Sequence, residues 1–216
     1  MAFDPELATQ AYMATLKGAA RAKSDAYFEG GYWLILWDFL VTVVANLIVL
    51  RLGWAAGLSR WARSKAGPAL AALLFAVPYI LLVTLITAPF TIYTEFVREH
   101  AYGLSNQSFG EWAGEAAIAV AINTVLAGLL WMGVHAVIRR WPRGWWAGGT
   151  VLTVLVAMAT ITLAPLYIEP LFNTYTPLPD GPVKTEVLKM ARANGVPADN
   201  VYLVDASRQS DRISAN

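Results

Sequence analysis

The sequence contains no cysteine and few charged residues. The lack of cysteine excludes disulfides, Cys-ligated zinc and thiol chemistry. Charged residues make up 14% of the 216 residues and hydrophobic residues 57%, whereas an ordinary soluble domain is about 25% charged. This balance predicts an integral membrane protein rather than a soluble domain with a large core. The net charge of +1 gives no support for a nucleic-acid partner.

Motifs of hydrolytic enzymes are missing as well. The sequence has no HExxH, no glycine-rich phosphate loop and no GxSxG, so it contains no complete hydrolytic centre. Its two histidines, His100 and His135, lie far apart in the chain. The first 31 residues are too polar to contain the apolar core of a signal peptide, so the spans themselves must direct membrane insertion.

Four long segments are almost free of charge. Residues 66–94, 116–138 and 144–168 contain no charged residue, and residues 30–50 contain only Asp38. Each is long enough to cross a bilayer, which takes about 20 apolar residues in a helix. We therefore predict an all-α integral membrane protein, with a transmembrane domain over residues 32–173. The predicted spans lie near 32–51, 69–92, 115–138 and 145–168.

Helices are also predicted outside the spans. Residues 1–31 predict a polar, moderately amphipathic N-terminal helix at the membrane interface. Residues 54–65 place Trp54, Leu58 and Trp61 on one helical face beside basic residues, which is typical of an interfacial helix. An ordinary basic loop would explain the same residues equally well.

Beyond Phe172 the sequence becomes soluble in character. Asp180 can cap a helix that begins near Pro182, and Asn194-Gly195 is a typical helix end. Residues 201–205, VYLVD, predict a short strand. One helix and one strand cannot bury a core, so residues 174–216 are predicted to begin a domain that continues past residue 216.

Several acidic and histidine residues are candidates for function. Glu95 and Glu99 are one helical turn apart with His100 adjacent, which permits a metal site. A solvated helix end carries the same residue types, and the composition favours that interpretation. His135 is about one turn from Arg139, so we expect it at the membrane interface.

Three polar residues within the predicted spans are further candidates. Asp38 lies inside the first span, where an ionisable residue usually faces the bundle interior. Asn46 and Asn123 are its candidate partners. We favour a structural hydrogen bond for Asp38 over a catalytic role.

Two stretches carry a resemblance to a known family. One is IEPLFNTYTPLPDG (168–181), and the other is YTEFVREHAYGLSNQS (93–108), which fits the pattern Y-x-x-F-V-x-E-x-x-x-G-[FL]-x-x-Q-[ST]. Both resemble the CAAX prenyl endopeptidases, which are membrane-embedded zinc metalloproteases. The first stretch is similar to the segment that joins the family's membrane helices to its peptidase domain.

The sequence departs from the family pattern in two places. Eukaryotic members have an additional first membrane helix, where this chain has a polar one. Near the end the family commonly reads S-x-x-S-x-x-S-N-A, whereas this chain reads SRQSDRISAN. Asn216 is the candidate for the family's substrate-groove asparagine, although it lies two residues later than the pattern requires.

The resemblance implies a zinc metalloendopeptidase acting on membrane-associated peptides or, in eukaryotes, on prenylated CAAX substrates. Zinc would be held by two histidines of an HExxH helix and a later glutamate, with the HExxH glutamate as general base. All of these would follow residue 216, so the chain itself is expected to bind no metal and to be inactive alone. Glu99, Asp38 and Asn123 are then structural or gating candidates.

Orientation and class remain open from the sequence. The family resemblance predicts a cytoplasmic tail, in the inner membrane if the source is bacterial. The connections at 51–68 and 139–144 hold more Lys and Arg than the opposite side, which by itself favours the reverse orientation.

The alternative function is a non-enzymatic scaffold or transporter-like subunit that ends at residue 216. Oligomeric state is not predicted.

Overall fold

The computed structural model describes residues 4–15 and 17–204, and this part of the chain is mostly helical. One π-helical stretch covers Ile92–Val97, and a second covers Ala164–Ile168 and leads into a short 3-10 turn. The helices are α1 (Pro5–Met13), α2 (Gly18–Arg51), α3 (Trp54–Lys65), α4 (Pro68–Thr91), α5 (Arg98–Tyr102), α6 (Phe109–Arg140), α7 (Trp145–Leu163) and α8 (Pro182–Ala193). The strands are β1 (Tyr175–Pro177) and β2 (Tyr202–Val204).

Four helical segments in the described residues are long and apolar enough to cross a membrane: Gly18–Arg51, Pro68–Tyr102, Phe109–Arg140 and Trp145–Leu171. The prediction of an all-α, multi-pass membrane protein is confirmed. The helices are longer than the predicted spans because only the part in hydrocarbon must be apolar. The 34 residues of α2 extend about 51 Å, well beyond a hydrocarbon core of about 30 Å.

The N-terminal helix differs from the prediction. The predicted polar helix is divided between α1, which ends at Met13, and α2, which begins at Gly18 and continues into the first span. Gly18 has a φ of 60°, a left-handed conformation that glycine adopts without steric cost. Asp4 caps α1, because its Oδ1 accepts hydrogen bonds from the backbone N–H groups of Glu6 and Leu7. The helix predicted over 54–65 is present as α3.

The chain divides into two compact units. The first consists of residues 1–57 and 81–104, and the second of residues 58–80 and 105–216. The buried apolar side chains of the described residues are small: five alanines and Val49. Many large apolar side chains are uncovered by protein, among them Leu85 and Ile161 at 72% and 75% exposure. This distribution is typical of membrane helices, which pack through small residues and present large ones to lipid.

In the second unit, glycines allow close packing between neighbouring helices. A Cβ added at Gly133 of α6 would lie 2.7 Å from Leu152 Cδ2 of α7. A Cβ at Gly148 of α7 would lie 2.7 Å from Val137 Cγ1 of α6. Neither position has room for a methyl group without movement of its neighbour, so these glycines set the distance between α6 and α7.

We predict that Gly148→Ala destabilises the protein whereas Gly149→Ala does not. The first change forces a methyl group against the β-branched Val137, which has few alternative rotamers. We expect it to lower the free energy of unfolding by about 1–3 kcal/mol. A Cβ at Gly149 meets no heavy atom of the described residues within 4 Å, so the gain in helix propensity should raise stability slightly. Thermal unfolding of both variants in the same detergent would measure the difference. Equal stabilities would contradict the packing described for α6 and α7.

The tail begins with a pair of strands. β1 and β2 are antiparallel, with Tyr175 opposite Val204 and Pro177 opposite Tyr202. The strand predicted at 201–205 is present as β2, whereas β1 was not predicted. Its three residues are too few and too close to proline to show an alternating pattern.

The predicted cap of α8 is wrong. Gly181, not Asp180, occupies the N-cap position, and no side chain of the described residues caps the helix. The Asp180 carboxylate instead accepts a hydrogen bond from Lys184 Nζ at 2.9 Å, which lowers the pKa of Asp180. The Lys184 amine, one turn along the helix, therefore replaces the backbone N–H groups as the hydrogen-bond donor to the Asp180 carboxylate. The predicted helix end is correct, with Asn194 as C-cap and Gly195 at a φ of 70°.

Candidate functional site after the second span

The loop motif at 93–108 begins on the helical extension of the second span. The π-helical stretch Ile92–Val97 continues α4 into α5, which ends at Gly103. Gly103 has a φ of 70°; its N–H donates to His100 O and the next N–H, of Leu104, donates to Glu99 O. This is a Schellman motif, which needs a residue in the left-handed region. The glycine of the sequence motif therefore terminates α5.

Arg98 is buried in the first unit. Only 9% of it is exposed, and its Nη2 donates a hydrogen bond to the backbone carbonyl of Tyr27 on α2. Its guanidinium lies over the ring of Tyr27 at 4.0 Å and over the ring of Tyr102 at 5.3 Å. Cation–π contacts of this kind are worth about 0.5–2 kcal/mol each. Arg98 thus connects α5 to the start of the first span.

Glu99 takes part in the same group of contacts. Its Oε1 accepts a hydrogen bond from the Tyr27 hydroxyl at 2.7 Å and lies 3.9 Å from Arg98 Nη1. The rings of Tyr27 and Tyr102 meet edge to face, with centroids 5.0 Å apart. We call Tyr27, Arg98, Glu99 and Tyr102 the α2–α5 cluster. Its carboxylate and guanidinium are both held by contacts within the protein.

His100 faces its own helix. Its Nδ1 is 2.8 Å from the carbonyl oxygen of Phe96, and the two rings lie 4.3 Å apart. A carbonyl oxygen only accepts, so Nδ1 carries the proton in this contact. Within residues 4–15 and 17–204, no three His, Asp or Glu side chains are placed to hold a metal ion.

The end of the motif belongs to the second unit and starts α6. Ser108 is the N-cap, and it forms a capping box in which its side chain and that of Glu111 each accept from the other's backbone N–H. Gln107 is buried and its Nε2 donates to Glu115 Oε2 at 2.9 Å. The motif glutamine and serine therefore position the first turns of the third span.

The remaining predicted site residues lie elsewhere. Asp38 is on an exposed face of α2, and the Asn46 amide donates to the carbonyl oxygen of Thr42 in the same helix. Asn123 is on an exposed face of α6. Asn216 lies outside the described residues. Structural or gating roles for Asp38 and Asn123 stay predictions.

Sequence reasoning missed Arg98 and Tyr27. Arg98 occupies a variable position of the motif and resembles any basic residue at a span end. Tyr27 is 71 residues away, in a segment predicted to be a separate polar helix. A weak signal was present, because a lone arginine between Val97 and Glu99 of a motif needs a partner if it is buried.

Comparison with known proteins identifies the family. A family model for the N-terminal region of CAAX prenyl proteases, described as having five membrane helices, matches residues 9–174. The chain belongs to this family. The CAAX prenyl protease resemblance of the two sequence stretches is therefore confirmed.

The names of individual relatives agree with this family assignment. The chain is 29% identical over 150 residues to the human CAAX prenyl protease 1 homolog, covering 63% of this chain and 30% of that protein. It is 26% identical over 142 residues to the uncharacterized metalloprotease YhfN of Bacillus subtilis, covering 64% and 33%. The chain thus spans about a third of the length of the curated relatives it matches.

The chain is also similar in fold to a solved structure. The crystal structure of S. mikatae Ste24p superimposes with a TM-score of 0.70 at 21% identity, covering 88% of this chain and 46% of that one. This likeness shows the shared helical membrane fold.

Proposed function

We propose that this chain is the N-terminal membrane region of a zinc metalloendopeptidase that cleaves peptide bonds of membrane-associated proteins. The match of residues 9–174 to the CAAX prenyl protease N-terminal family carries the proposal. Membership in a protease family is shown, and relatives named as metalloprotease or CAAX prenyl protease are about three times as long as the matched part. The remaining two thirds is where we place the peptidase chemistry.

The described residues do not supply a zinc site. No three His, Asp or Glu side chains converge in residues 4–15 and 17–204, and the chain contains no cysteine. A catalytic zinc needs about three protein ligands. We therefore place the ligands after residue 216 and assign no catalytic step to the residues described here.

The role proposed for this chain is to hold the enzyme in the bilayer and to connect the membrane helices to the peptidase domain. Four candidate spans provide the anchor, and large uncovered side chains on α2 and α7 fit contact with lipid acyl chains. The strand pair β1–β2 and helix α8 follow the last span directly. We propose that they form the start of a cytoplasmic peptidase domain.

Substrates of this arrangement would be peptide segments that reach the enzyme at the membrane. The human and yeast relatives are named CAAX prenyl proteases, and the Bacillus relative is named only as a metalloprotease. Cleavage assays with peptides that carry or lack a C-terminal isoprenoid would therefore distinguish two substrate classes within the proposed function.

The proposal is tested first at the gene and then with the enzyme. We expect the reading frame to continue past codon 216 into an HExxH motif. The complete protein, purified in detergent, should contain about one zinc atom and cleave a fluorogenic peptide that carries a membrane-anchoring lipid. A chelator should abolish cleavage, and added zinc should restore it. A stop codon directly after Asn216 would reject the proposal in favour of a non-enzymatic membrane protein.

Glu99→Gln should leave the zinc content of the complete enzyme unchanged. Glutamine can still accept the hydrogen bond from Tyr27, but it removes the negative charge beside Arg98, so we expect a loss of stability of about 1–2 kcal/mol and lower activity. Metal analysis and thermal unfolding of the purified variant measure the two effects.

Glu29→Gln is the matched control, because Glu29 is an exposed residue on α2 near the same end of the span. It should change neither stability nor activity. Loss of stoichiometric zinc from Glu99→Gln would show that Glu99 is a metal ligand and not part of a structural cluster.

A further inference from the structure

The second unit contains a cavity of about 770 Å³ between α3, the start of α4 and the end of α6. This volume is within the range of about 300–1,000 Å³ usual for small-molecule sites. Polar or basic lining residues are Ser59, Arg63, His135 and Arg139, and the aromatic ones are Phe75 and Trp131. Among the residues that the structure describes, no Asp or Glu lines the cavity.

The basic residues of this cavity have no acidic partner among the described residues. Neither Arg63 nor Arg139 forms an ion pair within the part of the chain that the structure describes. His135 Nδ1 is buried and has no hydrogen-bond partner there. A buried polar atom without a hydrogen-bond partner is destabilising, so a ligand that supplies a partner is favoured. The guanidinium group of arginine is a cation that binds anions well, so the charge of this lining favours an anionic ligand.

The opposite end of the cavity is apolar and lies inside the spans. Phe75 is seven residues into α4 from Pro68, and Trp131 is eight residues before Arg139 on α6. At 1.5 Å per residue, both rings lie about 10–12 Å along their helices from the basic end. The two rings pack together, with centroids 6.3 Å apart. The cavity thus changes from basic to aromatic over a distance of about two helical turns.

We propose that this cavity binds the headgroup and upper acyl chain of an anionic phospholipid. The phosphate lies between the guanidinium groups of Arg63 and Arg139, which match phosphate oxygens in bidentate geometry. The acyl chain runs along Phe75 and Trp131 toward the interior of the bilayer. The inference is independent of the proposed protease function, since it rests on the membrane helices alone.

Free phosphate would satisfy the basic end but leave the aromatic end empty. A zwitterionic phospholipid would fill both ends, but it brings an ammonium group toward two arginines, and none of the described residues that line the cavity is a carboxylate that could receive it. An anionic phospholipid is the class that fits both ends. The two other ligands are therefore the comparisons in the experiment.

The test is lipid retention by the 216-residue chain. The purified protein is equilibrated in detergent with equal amounts of phosphatidylglycerol and phosphatidylcholine, and bound lipid is counted by native mass spectrometry. We expect one tightly retained phosphatidylglycerol per chain. The double variant Arg63→Gln/Arg139→Gln should retain at least tenfold less, because both phosphate ligands are removed.

The matched control is Arg60→Gln/Arg140→Gln. It removes the same charge from the same two helices, and neither residue lines the cavity. Retention by the control should stay within twofold of the unmodified chain. His135→Leu, which removes the unpartnered nitrogen and leaves both arginines, should give an intermediate loss of several-fold. All variants must elute as monodisperse species with unchanged helix content.

Three results would overturn the assignment. Equal retention of the two lipids would show that the headgroup charge is not recognised. An equal loss from the control double variant would show attraction to interfacial charge in general rather than to this cavity. Displacement of phosphatidylglycerol by millimolar inorganic phosphate would show that the site binds free phosphate.

Discussion

Replacing Arg98 with methionine is expected to lower the free energy of unfolding by roughly 3 kcal/mol. Methionine keeps much of the apolar volume but removes the hydrogen bond to the Tyr27 carbonyl and the contacts over the rings of Tyr27 and Tyr102. It also removes the guanidinium that lies 3.9 Å from the partly buried Glu99 carboxylate. Such a loss is large against the total stability of about 5–15 kcal/mol of a typical domain.

The Arg98 prediction is checked by thermal unfolding in detergent together with hydrogen exchange. Faster exchange should be confined to α5 and the beginning of α2, because the cluster joins these two segments. Arg21→Met is the control. Arg21 pairs with Asp25 at 3.6 Å on the surface, where both side chains are more than half exposed, so its loss should cost less than about 1 kcal/mol. Equal effects of the two substitutions would show that burial of Arg98 contributes nothing to stability.

The second large effect concerns metal and activity. The 216-residue chain purified alone is expected to contain far less than one zinc atom and to hydrolyse no peptide. His100 Nδ1 is engaged with the Phe96 carbonyl, and His135 lines a cavity that also contains two arginines, whose charge disfavours a cation. Carboxylates alone favour harder cations than zinc.

Elemental analysis after mild chelation and a fluorogenic peptide assay give the two readouts, with the complete protein measured in parallel. The complete protein should contain about one zinc atom and be active, so the contrast between the two proteins is expected to be nearly all or none. A stoichiometric, chelator-resistant zinc in the 216-residue chain would place the active site within these residues.

The sequence alone was sufficient for the class of fold and for most helices. Long runs without charge identify membrane spans because an unpaired charge is costly in hydrocarbon. A local signal also identified the end of α8, since Gly195 of the Asn194-Gly195 pair adopts a left-handed backbone conformation that glycine favours. The family resemblance followed from two short motifs. It was confirmed by the match over residues 9–174.

Helix continuity could not be derived from hydropathy. The polar residues 18–31 and the stretch 92–102 continue the first two spans, because a helix that leaves the hydrocarbon can extend into water or pack against other protein. The incorrect cap at Asp180 has a similar origin. A carboxylate before a helix can accept from the backbone or from Lys184, and the sequence contains both donors.

The sequence by itself determined whether each segment lies in lipid or in water, because this depends on the hydrophobicity of about 20 consecutive residues. Only the tertiary structure decided which polar residues have partners. Arg98 and Tyr27 meet across 71 positions, and Arg63 and Arg139 line one cavity from different helices. Contacts of this kind depend on the packing of helices through small residues, and no local pattern in the sequence encodes them.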